Sequence, residues 1–269
     1  MRFTPTPEQQ QLGDMVQRFL GEQYAFEARR KILDSQTGWS AEVWSKLGEL
    51  GLLGLQVPEA QGGIGPGPGA QGGMAPAVVE TLLTASAMGK AMLLEPWISS
   101  SVIATTAIRE LGSAQQREEL LAPMGAGERI AVLAHSEPGT RYDLRQVATA
   151  ARRGSGGWLL KGRKAVVLHA PAADLLLVSA RTSGAADDAA GVSLFAVSRE
   201  GSGVALAPYR TFDGRCAADV TLTDAPGALL GKEGEALPGI QAALDHGIAA
   251  LCADAAGALQ ATLDTTIEY

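Results

Sequence analysis

The 269-residue sequence predicts an α+β protein with three parts: an N-terminal all-helical domain, a central antiparallel β-barrel or sandwich, and the start of a C-terminal helical bundle. Apolar residues recur at helical spacing to about residue 126, then in short alternating runs, and finally at helical spacing again. We therefore place domains at 1–126, 127–234 and 235–269. No G-x-G-x-x-G stands between a strand and a helix, which disfavours a Rossmann nucleotide site.

The first helix is predicted to begin at Pro7, because Thr6 is a suitable N-cap and proline fits the first helical turn. One face of this helix carries Leu12, Met15, Val16, Phe19 and Leu20. A second helix is predicted from the Ser40 cap to Gly51, with Trp44 and Leu47 facing inward. After a glycine-rich loop over Gln61–Gly73, further helices are predicted at Met74 to about Met92, Ile98–Leu111 and Ala114–Met124.

Short apolar or alternating runs separated by glycine turns indicate the strands of the central part. They are Ile130–Ala134, Val147–Ala151, Trp158–Lys161, Ala165–Leu168, Leu175–Ala180, Val192–Val197, Val204–Pro208 and Ala218–Leu222. Their length and spacing favour a compact antiparallel barrel or sandwich over βαβ units.

Composition narrows the class of protein. The net charge is −7 and no basic run occurs, which argues against nucleic acid and anionic membranes as partners. Neither a signal peptide nor a window approaching a membrane span is expected. Two distant cysteines predict reduced thiols, and three histidines without i, i+4 spacing predict no zinc site. We expect a cytoplasmic protein.

Four segments, in order and at suitable separations, resemble the acyl-CoA dehydrogenase family over Leu50–Tyr269. They are Leu50–Leu55 with Pro58-Glu59 and Gly62-Gly63; Leu111–Ser113 with Gln116, Leu120-Leu121 and Gly127-Glu128; Ser136–Gly139; and Gly162–Lys164 opening a strand that ends at Ala180-Arg181. Within the family, the sequence is most similar to the small subunit of pimeloyl-CoA dehydrogenases, at Ala134–Pro138, Arg141–Leu144, Val167–His169 and Ala249–Ala253.

The resemblance implies FAD-dependent α,β-dehydrogenation of an acyl-CoA thioester, with an electron-transfer flavoprotein as acceptor, in a homo- or hetero-oligomer. It implies cofactor contacts from Leu133, His135, Ser136, Tyr142, Val166, Val167 and Leu168, and substrate contacts from Tyr142 and Asp245. The residues alone are consistent with this, since a turn at Pro138-Gly139 leaves backbone N–H groups free to bind a flavin edge or a phosphate. An ordinary strand and turn is the alternative.

Several residues depart from the family pattern. Val166 and Leu168 stand where the family usually has Trp and Thr, Tyr142 where it has Ser, and His169 where it has Asn. A cationic His169 could stabilise reduced flavin, although a hydrogen-bonded surface histidine is the simpler interpretation. For a dicarboxylyl substrate, Arg141 and Arg109 are candidate cations, with surface placement as the alternative for each.

No catalytic residue is assigned. The chemistry requires a carboxylate base in a dry pocket, where burial raises its pKa. One family position for that base falls near Gly247, where the sequence has no carboxylate, and the neighbouring Asp245 is expected to face the CoA side.

The last predicted helix, Leu237–Tyr269, presents an apolar face that has nothing to pack against in a truncated bundle, and such a face favours association. That face is Ile240, Leu244, Ile248, Leu251, Ala255, Leu259 and Leu263. We interpret the chain as a truncated form of a longer one. Two other functions stay open: a flavin oxidase or monooxygenase, since Val166 leaves room for oxygen, and a non-catalytic partner subunit of a hetero-oligomer.

Overall fold

The fold is described from a computed structural model that covers residues 4–65, 67 and 77–269. The helical part contains α1 Pro7–Gln23, α2 Phe26–Asp34, α3 Ala41–Glu49, α4 Val78–Ala91, a π-helical segment Trp97–Ala104 that continues into α5 Thr105–Leu111, and α6 Ala114–Gly125. Most of the predicted glycine-rich loop, and the predicted start of α4 at Met74, lie outside the described residues.

Local sequence explains the helix ends. Thr6 and Ser113 form capping boxes with Gln9 and Gln116, and the Ser40 hydroxyl accepts a hydrogen bond from the backbone of Val43. Val16, Leu20, Trp44 and Leu47 are buried, as their spacing predicts. The sequence analysis missed α2, a helix of nine residues with no fully buried residue and no side-chain N-cap hydrogen bond.

The central part consists of β1 Ala131–Ala134, β2 Ala150–Gly154, β3 Gly157–Leu168, β4 Leu175–Arg181, β5 Val192–Ser198, β6 Val204–Arg210 and β7 Cys216–Leu230. The pairs β2–β3, β3–β7, β7–β5, β5–β4 and β4–β2 form a ring, which a single residue pair, Ala150 with Arg181, closes. The prediction of an antiparallel sheet needs correction, since β1 pairs with β4 in parallel, as does that closing pair.

Two strand predictions change for identifiable reasons. The strand predicted at Val147 begins only at Ala150, because the backbone N–H groups of Ala148 and Thr149 donate to the Glu137 carboxylate instead of to a neighbouring strand. The two runs at Trp158–Lys161 and Ala165–Leu168 are one long strand, β3, which carries register shifts against β7.

Helix α7, Leu237–Glu268, packs lengthwise on α4 and on the π-helical segment. The apolar face predicted to lack a packing partner is largely exposed, although its first member, Ile240, is buried. The helix buries a different face, formed mainly by small residues: Gly239, Ile240, Ala243, Gly247, Ala250 and Gly257. Added Cβ atoms at Gly89 of α4 and Gly257 of α7 would overlap the backbone of the other helix, so glycine is what allows this close approach. Larger residues of α7 are exposed instead, namely Ile248, Leu251, Leu259, Leu263 and Ile267.

The expectation that no window approaches a membrane span also needs correction. By length and composition alone α7 could cross a membrane, with a mean hydropathy of 1.2 in its most apolar window. The core helices of soluble proteins pass the same test, but they are mostly buried, whereas 22% of this window of α7 is buried.

Candidate functional site

A cleft of about 170 Å³ lies where β1, the end of β3, the π-helical segment and α7 meet. It brings together all the predicted cofactor residues except Tyr142, namely Leu133, His135, Ser136, Val166, Val167 and Leu168. The other walls are Ser99, Ile103, Leu144, Ala165 and Leu244. Residues far apart in sequence therefore form one mostly apolar opening with a few polar groups, as ligand sites usually do.

Two predicted residues do not line this cleft. The side chain of Tyr142 is 97% exposed on the loop between β1 and β2. Asp245 is exposed on α7, where its carboxylate accepts a hydrogen bond of 2.7 Å from Gln241.

The end of β3 reaches the cleft through an irregularity in the strand. Its register against β7 shifts between Lys164 and Val167, and Val166 has a φ of +52°. This conformation is rare and strained for a β-branched residue. The Val166 N–H donates to a carboxylate oxygen of Asp219 at 3.1 Å, which anchors the strained residue.

A buried ion pair supports the loop that follows β1. The Lys164 ammonium, fully buried, donates to Glu137 Oε1 at 2.7 Å, to the Ser179 hydroxyl at 2.9 Å and to the His135 carbonyl at 3.1 Å. Glu137 also accepts from the backbone of Ala148 and Thr149. All three ammonium protons have acceptors, which is the condition under which a buried charge is tolerated.

The charges of this cluster are interdependent. Burial lowers the pKa of the Lys164 ammonium to about 8, although Glu137 opposes the shift. Burial by itself would raise the pKa of the Glu137 carboxyl, but the charge and hydrogen bond of Lys164 hold it below its ordinary value. Burial, together with the nearby Lys164, lowers the pKa of His135 to about 4, so this ring is neutral near pH 7.

The cluster positions the polar edge of the cleft. The His135 ring shares a hydrogen bond of 2.9 Å with Ser179, and the Ser136 carbonyl accepts from Ala165 at 2.9 Å. The Ser136 hydroxyl is exposed at the cleft and has no hydrogen-bond partner among the residues that the structure describes. It is therefore free to bond a ligand.

A second, smaller cavity of about 50 Å³ adjoins the cleft and shares Ser99, Ile103 and Leu168 with it. Its remaining lining is Met88, Leu93, Glu95, Trp97, Ile98, His169, Arg215, Leu251 and Asp254. Sequence reasoning missed the charged members. Two features of the sequence could have indicated these buried charges. Glu95 is isolated in the apolar run from Met92 to Ile98, and Asp254 is the one charged residue between Gly247 and Leu263.

His169 is a buried residue, not a surface one, and it is not a cation near neutral pH. Burial, assisted by the charge of Arg215, lowers its pKa to about 4. Its Nε2 lies 3.1 Å from the Leu94 carbonyl, so Nε2 carries the proton and Nδ1 accepts from the Ser99 hydroxyl at 2.9 Å. The idea that a cationic His169 stabilises a reduced flavin is therefore wrong.

The position near Gly247 has no space for a carboxylate base. A Cβ atom there would lie 2.6 Å from Cγ1 of Ile103, a residue that lines both cavities. No Asp or Glu lines the cleft in the described part of the chain. Arg109 is no surface residue either, since it is buried and its guanidinium donates to both oxygen atoms of Gln56.

A helical layer, a curled mixed sheet and one long helix thus enclose an apolar cleft whose edge carries a free hydroxyl. These features suit a planar aromatic ligand with polar edges. Two domain profiles, "Acyl-CoA dehydrogenase, N-terminal domain" and "Acyl-CoA dehydrogenase, middle domain", match residues 6–128 and 132–224. The chain belongs to the acyl-CoA dehydrogenase family.

Individual relatives agree with this assignment. The chain is 31% identical to benzylmalonyl-CoA dehydrogenase of Aromatoleum aromaticum over 206 residues, which cover 77% of the chain and 51% of that protein. It is 30% identical to mitochondrial isovaleryl-CoA dehydrogenase of Pongo abelii over 272 residues, which cover 97% of the chain and 62% of that protein. The chain thus spans about half to three fifths of these two relatives.

A similar solved structure is a variant of the Tcur3481–Tcur3483 steroid ACAD. It superposes with a TM-score of 0.81 at 28% identity, over 97% of this chain and 66% of the other. The agreement covers the helical part, the sheet and α7 together, and so confirms the helix–sheet–helix order that the sequence predicts.

Proposed function

We propose that this chain forms the flavin-binding part of an FAD-dependent acyl-CoA dehydrogenase that converts an acyl-CoA thioester to the trans-2-enoyl-CoA. The observation that carries the proposal is the convergence of Leu133, Ser136 and Val166–Leu168 on one cleft. The family resemblance implies cofactor contacts at these positions, and two separate segments of the chain, β1 with the residues after it and the end of β3, bring them together.

The residues of the cleft suit this cofactor. Leu133, Val166 and Leu168 offer apolar surface for a planar ring, and the free Ser136 hydroxyl can hydrogen-bond a polar edge of that ring. When bound, FAD would supply the acceptor for the substrate hydride. The chain itself would orient the ring, exclude water and hold the Ser136 loop through the Lys164–Glu137 pair.

A second function has an observation in its favour. Gly247 packs closely on Ile103, and no carboxylate lines the cleft in the described residues. Both observations fit a partner subunit that binds flavin but lacks a catalytic base. The base would then come from another chain or from a further segment. An oxidase or monooxygenase remains an alternative because Val166 leaves an open wall.

Finer assignments belong to the same proposal. We include a likeness to the small subunit of pimeloyl-CoA dehydrogenases, an electron-transfer flavoprotein as acceptor and an oligomeric assembly, which rest on the sequence resemblance. We also include a cytoplasmic location, which rests on composition. Because the chain spans 51% and 62% of the two relatives, each of these assignments is a proposal for experiment.

The visible absorbance spectrum of the purified chain, reconstituted with FAD, tests the proposal. Anaerobic addition of a medium-chain acyl-CoA should bleach the flavin bands if a base is present, and should only perturb them if the chain is a base-less partner. Fast reoxidation by oxygen with substrate bound would favour the oxidase. A chain that binds neither FAD nor a thioester would contradict the flavin-site assignment.

The Ser136→Ala variant should bind FAD several-fold to about tenfold more weakly, because it removes one hydrogen bond of about 1 kcal/mol. Ser155→Ala, which alters an exposed turn residue far along β2–β3, is the matched control and should keep wild-type affinity. Equal FAD affinity of the two variants, measured by fluorescence titration, would remove Ser136 from the site.

A further inference from the structure

A third opening, of about 350 Å³, lies among helix α1, the start of α2 and the end of α4. We call it the α1–α2–α4 groove. It is lined by residues within 17–29 and 87–92 and shares none of them with the cleft or the second cavity. We propose that this groove binds a free straight-chain carboxylate, with the hydrocarbon tail in the groove and the carboxylate on Arg29. This site goes beyond the proposed function and does not depend on it.

The walls of the groove are mostly apolar, and its volume lies within the range of about 300 to 1,000 Å³ that is usual for ligand sites. Leu20, Tyr24 and Ala87 line it and are buried. Phe26 and Met92 also line it but are 66% and 50% exposed. A hydrocarbon tail between these two side chains would remove apolar surface from water, which favours binding.

Two backbone features keep the groove open and shape its edge. Gly21 lies inside α1, where glycine is unfavourable, and nothing lies within 4 Å of a Cβ atom added there. Met92 ends α4 in the left-handed conformation, with a φ of 52°, which glycine usually adopts at this position of a helix. Methionine instead supplies a flexible apolar side chain, which can adapt to a bound tail.

Arg29 is the observation that decides the head group. Its Nε donates to the Met92 carbonyl at 2.7 Å, which holds the guanidinium at the groove. Its two Nη atoms have no hydrogen-bond or ion-pair partner among the residues that the structure describes. Because the N–H groups of a guanidinium form a planar fork, these free donors match the two oxygen atoms of a carboxylate.

The charges around the groove favour a ligand with a single negative charge. No Asp or Glu lines the groove in the described part of the chain, although the net charge of the protein is −7. The other cation on its wall, Lys90, forms an ion pair of 2.9 Å with Asp264 of α7. One unpaired guanidinium therefore balances one carboxylate, whereas a cationic head group would be repelled. An uncharged ligand would leave the free donors of Arg29 unused.

Isothermal titration calorimetry of the full chain, with and without FAD, tests the proposal. The probes are straight-chain carboxylates of about six to twelve carbons, with 1-alkanols and alkylammonium ions of the same lengths, all as monomers. At the best-fitting length the carboxylate should bind about tenfold more tightly than the alkanol, because hydrogen bonds to charged groups are the stronger ones. The alkylammonium ion should bind most weakly, and FAD should leave the carboxylate affinity unchanged.

Three variants assign the effect to Arg29. Arg29→Gln should reduce the preference for carboxylate over alkanol to within about twofold, while Arg29→Lys, which keeps the charge, should retain most of it. If Arg29 served only to hold Met92, both variants would behave alike, since neither keeps the Nε–H bond. The matched control is Arg30→Gln, because Arg30 is exposed on the same helix and does not line the groove. This control changes the net charge equally and should keep the full preference.

A fourth variant tests the place of the tail. Gly21→Leu fills part of the groove and should weaken the binding of carboxylate and alkanol alike, and thermal unfolding confirms that each variant is folded. Equal affinities for carboxylate and alkanol would overturn the proposal. So would a preference that persists in Arg29→Gln, or a carboxylate that FAD displaces, since either would place the ligand elsewhere. None of these results bears on the flavin-site assignment, which the absorbance experiment tests separately.

Discussion

At the scale of single residues, Val166 is the clearest conflict between a side chain and its local conformation. The strand irregularity after Lys164 gives it a positive φ, while the side chain remains 55% exposed at the cleft. Little packing therefore compensates for the backbone strain, and the hydrogen bond from its N–H to Asp219 helps to maintain the conformation. Strain of this kind often accompanies a ligand site, which agrees with the position of Val166 on the cleft wall.

Replacing Val166 by Asn should stabilise the chain by about 1 kcal/mol, because Asn tolerates the left-handed region far better than a β-branched residue. For a chain of this size the melting temperature should rise by about 2 to 4 °C. Val204 in β6 has no positive φ, so Val204→Asn is the control and should lower stability. A Val166→Asn variant that melts at a lower temperature than wild type would contradict the inference that the backbone of Val166 is strained.

At the scale of elements, α4 and α7 meet through glycine. Gly89 and Gly257 each touch backbone atoms of the opposing helix, so the two helices approach more closely than larger residues would permit. This contact turns the small residues of α7 inward and its larger apolar residues, such as Leu259 and Ile267, outward. The packing also places Leu251 and Asp254 against the second cavity.

Gly257→Ala should destabilise the chain by about 2 kcal/mol or more, because the added methyl group overlaps the α4 backbone and forces the helices apart. Gly21 in α1 is the matched control, since nothing lies within 4 Å of a Cβ atom added there. Gly21→Ala should stabilise by roughly 0.5 to 1 kcal/mol through helix propensity. Urea unfolding measures both stabilities, and a Gly257→Ala variant as stable as the wild type would contradict the close approach of α4 and α7.

At the scale of the whole molecule, buried hydrogen bonds join the helical part to the sheet. The His169 ring, after β3, bonds to Leu94 and Ser99 of the helical part. The Gln116 side chain in α6 donates to the Leu229 carbonyl and accepts from Gly231. These contacts fix the two layers relative to each other, and the cleft between them depends on that arrangement.

Stability should fall as the pH is lowered from about 6.5 to about 4. His135 and His169 have pKa values of about 4 in the folded chain against 6.5 for an ordinary ring, so the unfolded state binds more protons in this window. Each ring can account for about 3 kcal/mol at most. Above pH 6.5 the two states bind equally few protons at these rings, and this contribution to the pH dependence vanishes.

The His169→Asn variant separates this effect from general packing, since Asn tolerates the positive φ of residue 169 and does not titrate. We measure its free energy of unfolding in urea at a series of pH values. Between pH 6.5 and 4 the slope of this free energy against pH should be smaller than in the wild type by the amount that corresponds to about one bound proton, even if the variant is less stable throughout. An unchanged slope would show that the buried His169 ring is not the titrating group.

The sequence by itself determined the helix–sheet–helix order, the caps at Thr6, Ser40 and Ser113, and the family. The family resemblance of the sequence also pointed to six of the residues that line the cleft. Only the tertiary structure decided which face α7 buries, that β1 pairs in parallel, and that Glu95, Arg215 and Asp254 share one cavity. Those features depend on contacts between segments roughly 40 to 170 residues apart, which spacing along the chain does not reveal.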